Sequence, residues 1–246
     1  MKGAGNMKIQ KKLMHNTQEL IDYGPINIVI FGDSVSHGAF NNYIDYEKVY
    51  WNLLRKKLNQ FRSYIPVNMI CASIGGTTAT RSLPRLDSQV LVHKPDLVIV
   101  SFGLNDVNGP LEDYLTSLEC IFTKCQDAGC EVIFMTPNML NTYVAVGTAE
   151  KHLAYAAKTA EVQNSGKMDR YMSEATKLAE GLGVTVCDCY SKWKELAKTE
   201  DTTMLLDNKI NHPTPEMHNL FADCLYDVIM SEATSDGEDC STMFSK

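Results

Sequence analysis

Apolar residues occur along this chain in two rhythms. Short continuous runs lie at Ile26 to Phe31, Val67 to Ala72, Leu97 to Phe102, Glu131 to Met135 and Val184 to Cys189. Runs of this length, rich in Ile and Val, read as strands buried on both faces. Between them the apolar positions recur about every 3.6 residues. Leu53, Leu54 and Leu58 mark a helix over Val49 to Gln60, and Leu83 to Val92 a second, closed by Lys94-Pro95. Leu111, Leu115, Leu118, Ile121, Phe122 and Cys125 mark a longer one that Gly129 caps. Met168 to Glu180 stops at Gly181, and a last helix runs from about Pro215, a residue suited to a first turn, to Met230.

Strands that alternate with helical crossovers form a parallel sheet covered on both faces. The fold expected is therefore α/β: three α/β/α layers around a five-stranded parallel sheet. The domain should span residues 25–230, after an N-terminal extension, 1–24, and before a polar, acidic C-terminal tail, 231–246. Residues 138–166 follow the fourth strand and contain a weakly helical stretch, Ala149 to Ala160. They are expected either as a wall or lid over a site or as an ordinary packed helix.

The strands end in chemically informative clusters. Gly32-Asp33-Ser34 follows the first run, Gly75-Gly76 the second, and Gly103-Leu104-Asn105-Asp106 the third; Asn211-His212-Pro213 comes late. Carboxyl ends of parallel strands share one edge, where ligands bind. A hydroxyl, glycine amides and a carboxamide thus meet on one rim, and His212 can join them. A serine needs an adjacent base to become a good nucleophile, and imidazole titrates near neutrality. Glycine lets backbone amides approach a developing oxyanion without a Cβ in the way. These are the parts of a serine acyl hydrolase. Asp33 and Asp106 read as acceptors that organise their loops.

Composition narrows the partners. With 246 residues the chain fits one domain, and a net charge of −7 leaves no nucleic-acid footprint. No segment has the roughly 18 apolar residues needed to span a bilayer. Lys2, Lys8, Lys11 and Lys12 precede no apolar stretch, so a signal peptide is not expected and the cytoplasm is the expected compartment. The eight cysteines, Cys120, Cys125, Cys130, Cys187 and Cys189 among them, then read as free and mostly buried thiols. No metal or organic cofactor is expected, and the oligomeric state stays open.

The four clusters resemble the blocks of the SGNH (GDSL-type) hydrolases. Gly32-Asp33-Ser34-Val35-Ser36-His37-Gly38 is similar to the first, with Val35 where leucine is usual. Cys71 to Thr78 is similar to the second, Gly103-Leu104-Asn105-Asp106 to the third and His212-Pro213 to the last. The resemblance implies a flavodoxin-like hydrolase fold, Ser34 as nucleophile and His212 as base. It also implies an oxyanion hole of the Ser34 and Gly76 amides and the Asn105 side chain. Such families carry an aspartate three residues before the histidine, a place taken here by Lys209. Asp207 is the expected substitute if the loop bulges; otherwise a backbone carbonyl or Asn208 orients the ring and leaves a Ser-His dyad. His218, Phe221, Trp51 and Trp193 could meet a sugar, but packing is the expected use of each.

The activity expected is hydrolysis of short-chain, O-acetyl esters on a carbohydrate, the substrate being a small molecule or oligosaccharide. Other readings are a lipase- or thioesterase-like acylhydrolase, a metal-dependent phosphoesterase using Asp33, Asn105, Asp106 and His212, and a carbohydrate-binding protein without catalysis.

Overall fold

The computed structural model describes residues 8–231. Two short helices, α1 (Lys8–Leu13) and α2 (Thr17–Tyr23), precede β1 (Ile26–Gly32). Then come α3 (Tyr50–Phe61), β2 (Val67–Cys71), α4 (Ala79–Ser82), α5 (Leu86–Gln89) and β3 (Leu97–Ser101). After these follow α6 (Leu111–Asp127), β4 (Glu131–Met135), α7 (Leu153–Asn164) and α8 (Lys167–Gly181). The last elements are β5 (Thr185–Cys187), α9 (Cys189–Leu196) and α10 (His218–Met230). All strand pairs are parallel, in the order β2-β1-β3-β4-β5. The expected three-layer architecture is the one observed.

β1 and β3 lie at the centre, and burial explains their composition. From Ile28 to Phe31 and from Leu97 to Val100 every side chain is fully buried. Such strands need apolar residues on both faces rather than alternation. Helix α3 places Leu54 and Leu58 against the sheet, and α6 places Leu118, Ile121, Phe122 and Cys125. Trp51 spends its indole N–H on Ser36 O at 2.9 Å, and Trp193 is fully buried. Neither is free to stack on a sugar.

Several segments differ from the pattern's forecast. Leu83 to Val92 is broken into two 3₁₀ turns around the single turn of α5. The chain after β5 turns at once into α9, because the Asp188 carboxylate caps it by accepting from Ser191 N. Cys189 is thus helical, yet its sulfur still lies 3.7 Å from that of Cys187. Helix α8 continues through Gly181 and ends before Gly183, whose φ of 69° suits a terminator. Of the seven described cysteines, all free, four are buried.

The part of the N-terminal extension that is described docks on the domain. Ile9 and Leu13 enter the core, and the Glu131 carboxylate accepts from the amides of Lys8 and Ile9. Lys12 pairs with Asp96 at 2.8 Å, and Gln10 Nε2 donates to Ile229 O. The tail expected over 231–246 lies, beyond Ser231, outside the described residues.

Candidate active site

β1 delivers Ser34. Past Gly32 the chain winds into a single turn, with His37 N donating to Asp33 O and Ala39 N to Ser34 O. Only glycine fits at 32, since a Cβ there would sit 2.6 Å from both Ser101 O and Ser36 Oγ. The Asp33 carboxylate folds back under this turn and accepts from Val35 N at 3.1 Å. It is buried, and burial raises its pKa to about 7, with the nearby Asp106 charge adding to the rise.

β3 delivers Asn105. Asp106 accepts from Ala79 N at 2.8 Å and Gly103 N at 3.0 Å, tying the third cluster to the loop after β2. Its pKa, raised by burial, reaches about 6. Both aspartates therefore organise loops, as expected of them. Asn105 Nδ2 donates to Thr77 O at 3.0 Å, which aims the carboxamide along the rim. Gly76 holds φ at 72°, a left-handed conformation that side chains resist, and it turns its peptide toward the same pocket. Among the described residues, neither Ser34 N nor Gly76 N donates a hydrogen bond within the protein.

His212 arrives on the loop before α10. Asn208 Oδ1 accepts from the amides of Ile210, Asn211 and His212 at 2.9–3.0 Å, so one carboxamide shapes the whole turn. A bridge between Leu206 and Pro213 closes it. His212 Nε2 lies 2.9 Å from Ser34 Oγ, and Nδ1 lies 2.5 Å from Phe40 O. A carbonyl can only accept, so Nδ1 carries the proton and Nε2 is left bare to accept from the serine hydroxyl. Burial lowers the imidazole's pKa, opposed by the Phe40 carbonyl and by the charge of Asp207.

Asp207 is the correction. The sequence placed it on the other ring nitrogen, but its carboxylate accepts from Asn41 N at 2.6 Å instead. Lys209, at φ 60°, takes part in a turn in which Lys209 N donates to Leu206 O, and the Asp207 side chain is spent on the 39–44 loop. A backbone carbonyl, the alternative reading, holds the ring. Asn208 shapes the loop rather than touching Nδ1.

Ser34, Gly75, Gly76, Asn105 and His212 line one cavity of about 390 Å³. The rest of its lining is Asn208 and Asn211, which the sequence had singled out, and Asn41, His152, Tyr155 and Ile210, which it had not. The position of 138–166 after the fourth strand was the available signal for His152 and Tyr155. That segment is a packed wall: Leu140 and Ala156 are fully buried, while Tyr155 and His152 face the cavity. His218 and Phe221 are fully buried in α10 and pack. His218 Nδ1 accepts from Tyr50 N, and its pKa falls to about 3 through burial, with His212 contributing. Among the described residues no group of three or more His, Cys, Asp or Glu is arranged to hold a metal ion, and no helix is long and apolar enough to cross a membrane.

A parallel α/β sheet with these clusters at its carboxyl edge defines a class, and the comparisons agree with it. The family model for GDSL-like lipases and acylhydrolases matches residues 30–220. The chain belongs to that family and is an ester-hydrolysing enzyme. No curated protein matches it. Among solved structures, Axe2, an acetylxylan esterase from Geobacillus stearothermophilus, is 18% identical with a TM-score of 0.66, over 83% of this chain and 94% of that one. The acetyl xylan esterase AlAXEase is 20% identical with a TM-score of 0.65, over 83% and 100%. A lipase/acylhydrolase from Enterococcus faecalis is 22% identical with a TM-score of 0.65, over 84% and 96%.

Proposed function

We propose that the protein hydrolyses short-chain esters, O-acetyl groups on a carbohydrate, through an acyl-serine. The observation that carries this is the 2.9 Å approach of His212 Nε2 to Ser34 Oγ, across 178 residues of sequence. The hydroxyl attacks the ester carbonyl as its proton passes to Nε2. The carbonyl oxygen, now negative, is held by Ser34 N, Gly76 N and Asn105 Nδ2. The imidazolium returns its proton to the departing alcohol, and a water repeats the sequence to release the acid.

The cavity favours a polar substrate. Asn41 and His152 offer donors and acceptors, the Asn208 and Asn211 carboxamides keep N–H groups beyond the loop bonds their oxygens already make, Tyr155 offers a ring, and Ile210 is the cavity's one aliphatic side chain. Hydroxyl-rich leaving groups suit the polar side chains of such a lining. The acetylxylan esterases among the similar structures support the same reading.

Ser34→Ala should abolish hydrolysis of nitrophenyl acetate while leaving the thermal midpoint of unfolding within a few degrees. Undiminished turnover would refute the mechanism. Acetylated xylo-oligosaccharides should be deacetylated faster than octanoyl esters; the reverse order would move the substrate to lipids.

A further inference from the structure

The Ser-His reading gives Asp207 no part, yet it grips the same peptide that orients the base. We infer that Asp207 is a positioning residue acting on His212 through the Phe40–Asn41 peptide: its carboxylate accepts the Asn41 N–H at 2.6 Å, and the carbonyl of that amide accepts His212 Nδ1–H at 2.5 Å. The N–H and C=O of a peptide are two ends of one delocalised unit. A charged acceptor on the N–H drives electron density toward the oxygen, which then accepts more strongly. The carboxylate is thereby displaced by one peptide from the place a direct triad would give it, and its charge still reaches the ring.

The rest of the geometry keeps that peptide fixed. Phe40 N donates to Tyr43 O at 3.0 Å, a bridge joins Ala39 and Ile44, and the Phe40 side chain is buried against the rings of Tyr43 and His218. On the other side, Asp207 N donates to His212 O at 2.7 Å, so the histidine and the aspartate are tied both through their own loop and through the neighbouring one. The other titratable groups round this pair are Lys209 on the same loop, His218 on α10, His152 across the cavity, Asp33 after β1 and the Asp45–Lys48 pair beyond the 39–44 loop. Of these, Asp207 stabilises the imidazolium, while His218, its own pKa pushed down to about 3, stays uncharged beside it.

The proposal rests on the Ser-His reading, and its test separates the two. Asp207→Asn keeps an oxygen for the Asn41 N–H and removes only the charge; Asp207→Ala removes both. Each variant and the wild type would be titrated by NMR of the His212 ring, which needs no substrate, and assayed against nitrophenyl acetate from pH 4 to 9. Asp207→Asn should shift the ring's midpoint and the acid limb of kcat/KM to lower pH. It should lower kcat about tenfold with KM within about twofold, less than the roughly 10⁴ lost when a directly bonded orienting carboxylate is neutralised. An Asp207→Asn protein equal to wild type in both readouts, beside a defective Asp207→Ala, would make the carboxylate a mere loop anchor and overturn the relay. A shifted midpoint in an otherwise inactive protein would uphold the relay and sink the esterase reading instead.

Discussion

Single residues carry unequal shares of this site. Asn105 and Gly76 are the proposed oxyanion donors, and on that proposal their loss should be felt most after Ser34 and His212. Asn105→Ala removes a side-chain N–H aimed at developing charge, and turnover of nitrophenyl acetate should drop about 10²–10³ with little change in KM. A loss under about threefold would take Asn105 out of the hole. That these residues meet Ser34 and His212 around one cavity was legible in the sequence, because three of the clusters follow strand ends and the fourth comes late in a recognisable block. The acceptor that orients His212 was not. It is the carbonyl of Phe40, a backbone group that every residue type possesses, and its position depends on the 39–44 loop meeting the 206–213 loop. Asp207 was correctly picked as the nearby carboxylate but given the wrong neighbour. The side chain's direction is set by the turn at Lys209, and a left-handed lysine carries no warning in the sequence.

At the scale of elements, one side chain gathers three amides of the loop carrying His212. The three amides that converge on Asn208 Oδ1 would lose their common acceptor in Asn208→Ala. Partly buried amides left without a partner cost about 1–3 kcal/mol. Asn208→Ala should therefore lower both the unfolding midpoint and kcat, whereas Asn208→Asp, which keeps the acceptor oxygen, should retain most of each. Thermal melts and ester hydrolysis on the two variants decide this, and equal behaviour of both would remove the role. Long elements were read well from periodicity: α3, α6, α8 and all five strands lie within a few residues of expectation. Short ones escaped. α1 shows only the pair Ile9 and Leu13, too short a stripe to stand out, and the signal for α2 is a cap, Asn16 with Glu19, rather than an apolar face. α9 hid behind β5 because Val184 to Cys189 reads as one strand until Asp188 is recognised as a cap.

Over the whole molecule, the buried titratable groups near the site work against one another. Asp33 and Asp106 have pKa values raised to about 7 and about 6 by burial, so the folded chain holds protons there that the unfolded chain has released above about pH 4. Stability from that source falls as pH rises through about 4 to 7. His218, pushed down to about 3 by burial, and His212, lowered for the same first reason, act the other way. The unfolded chain binds protons at these rings below about pH 6.5 while the folded His218 refuses them down to about pH 3, so stability from His218 climbs as pH rises from about 3 to 6.5, and His212 adds to the climb below about pH 6.5. Between about pH 4 and 6.5 the two slopes oppose each other, so the wild type's urea midpoint should change less steeply with pH than either source alone would make it. Asp33→Asn should unmask the histidine slope, with stability increasing toward neutrality. His218→Gln should unmask the carboxylate slope, with stability decreasing over the same range. Urea unfolding at pH 4, 5, 6 and 7 on the three proteins reads this directly, and curves of the same shape for all three would show that neither group stays buried in its uncharged form.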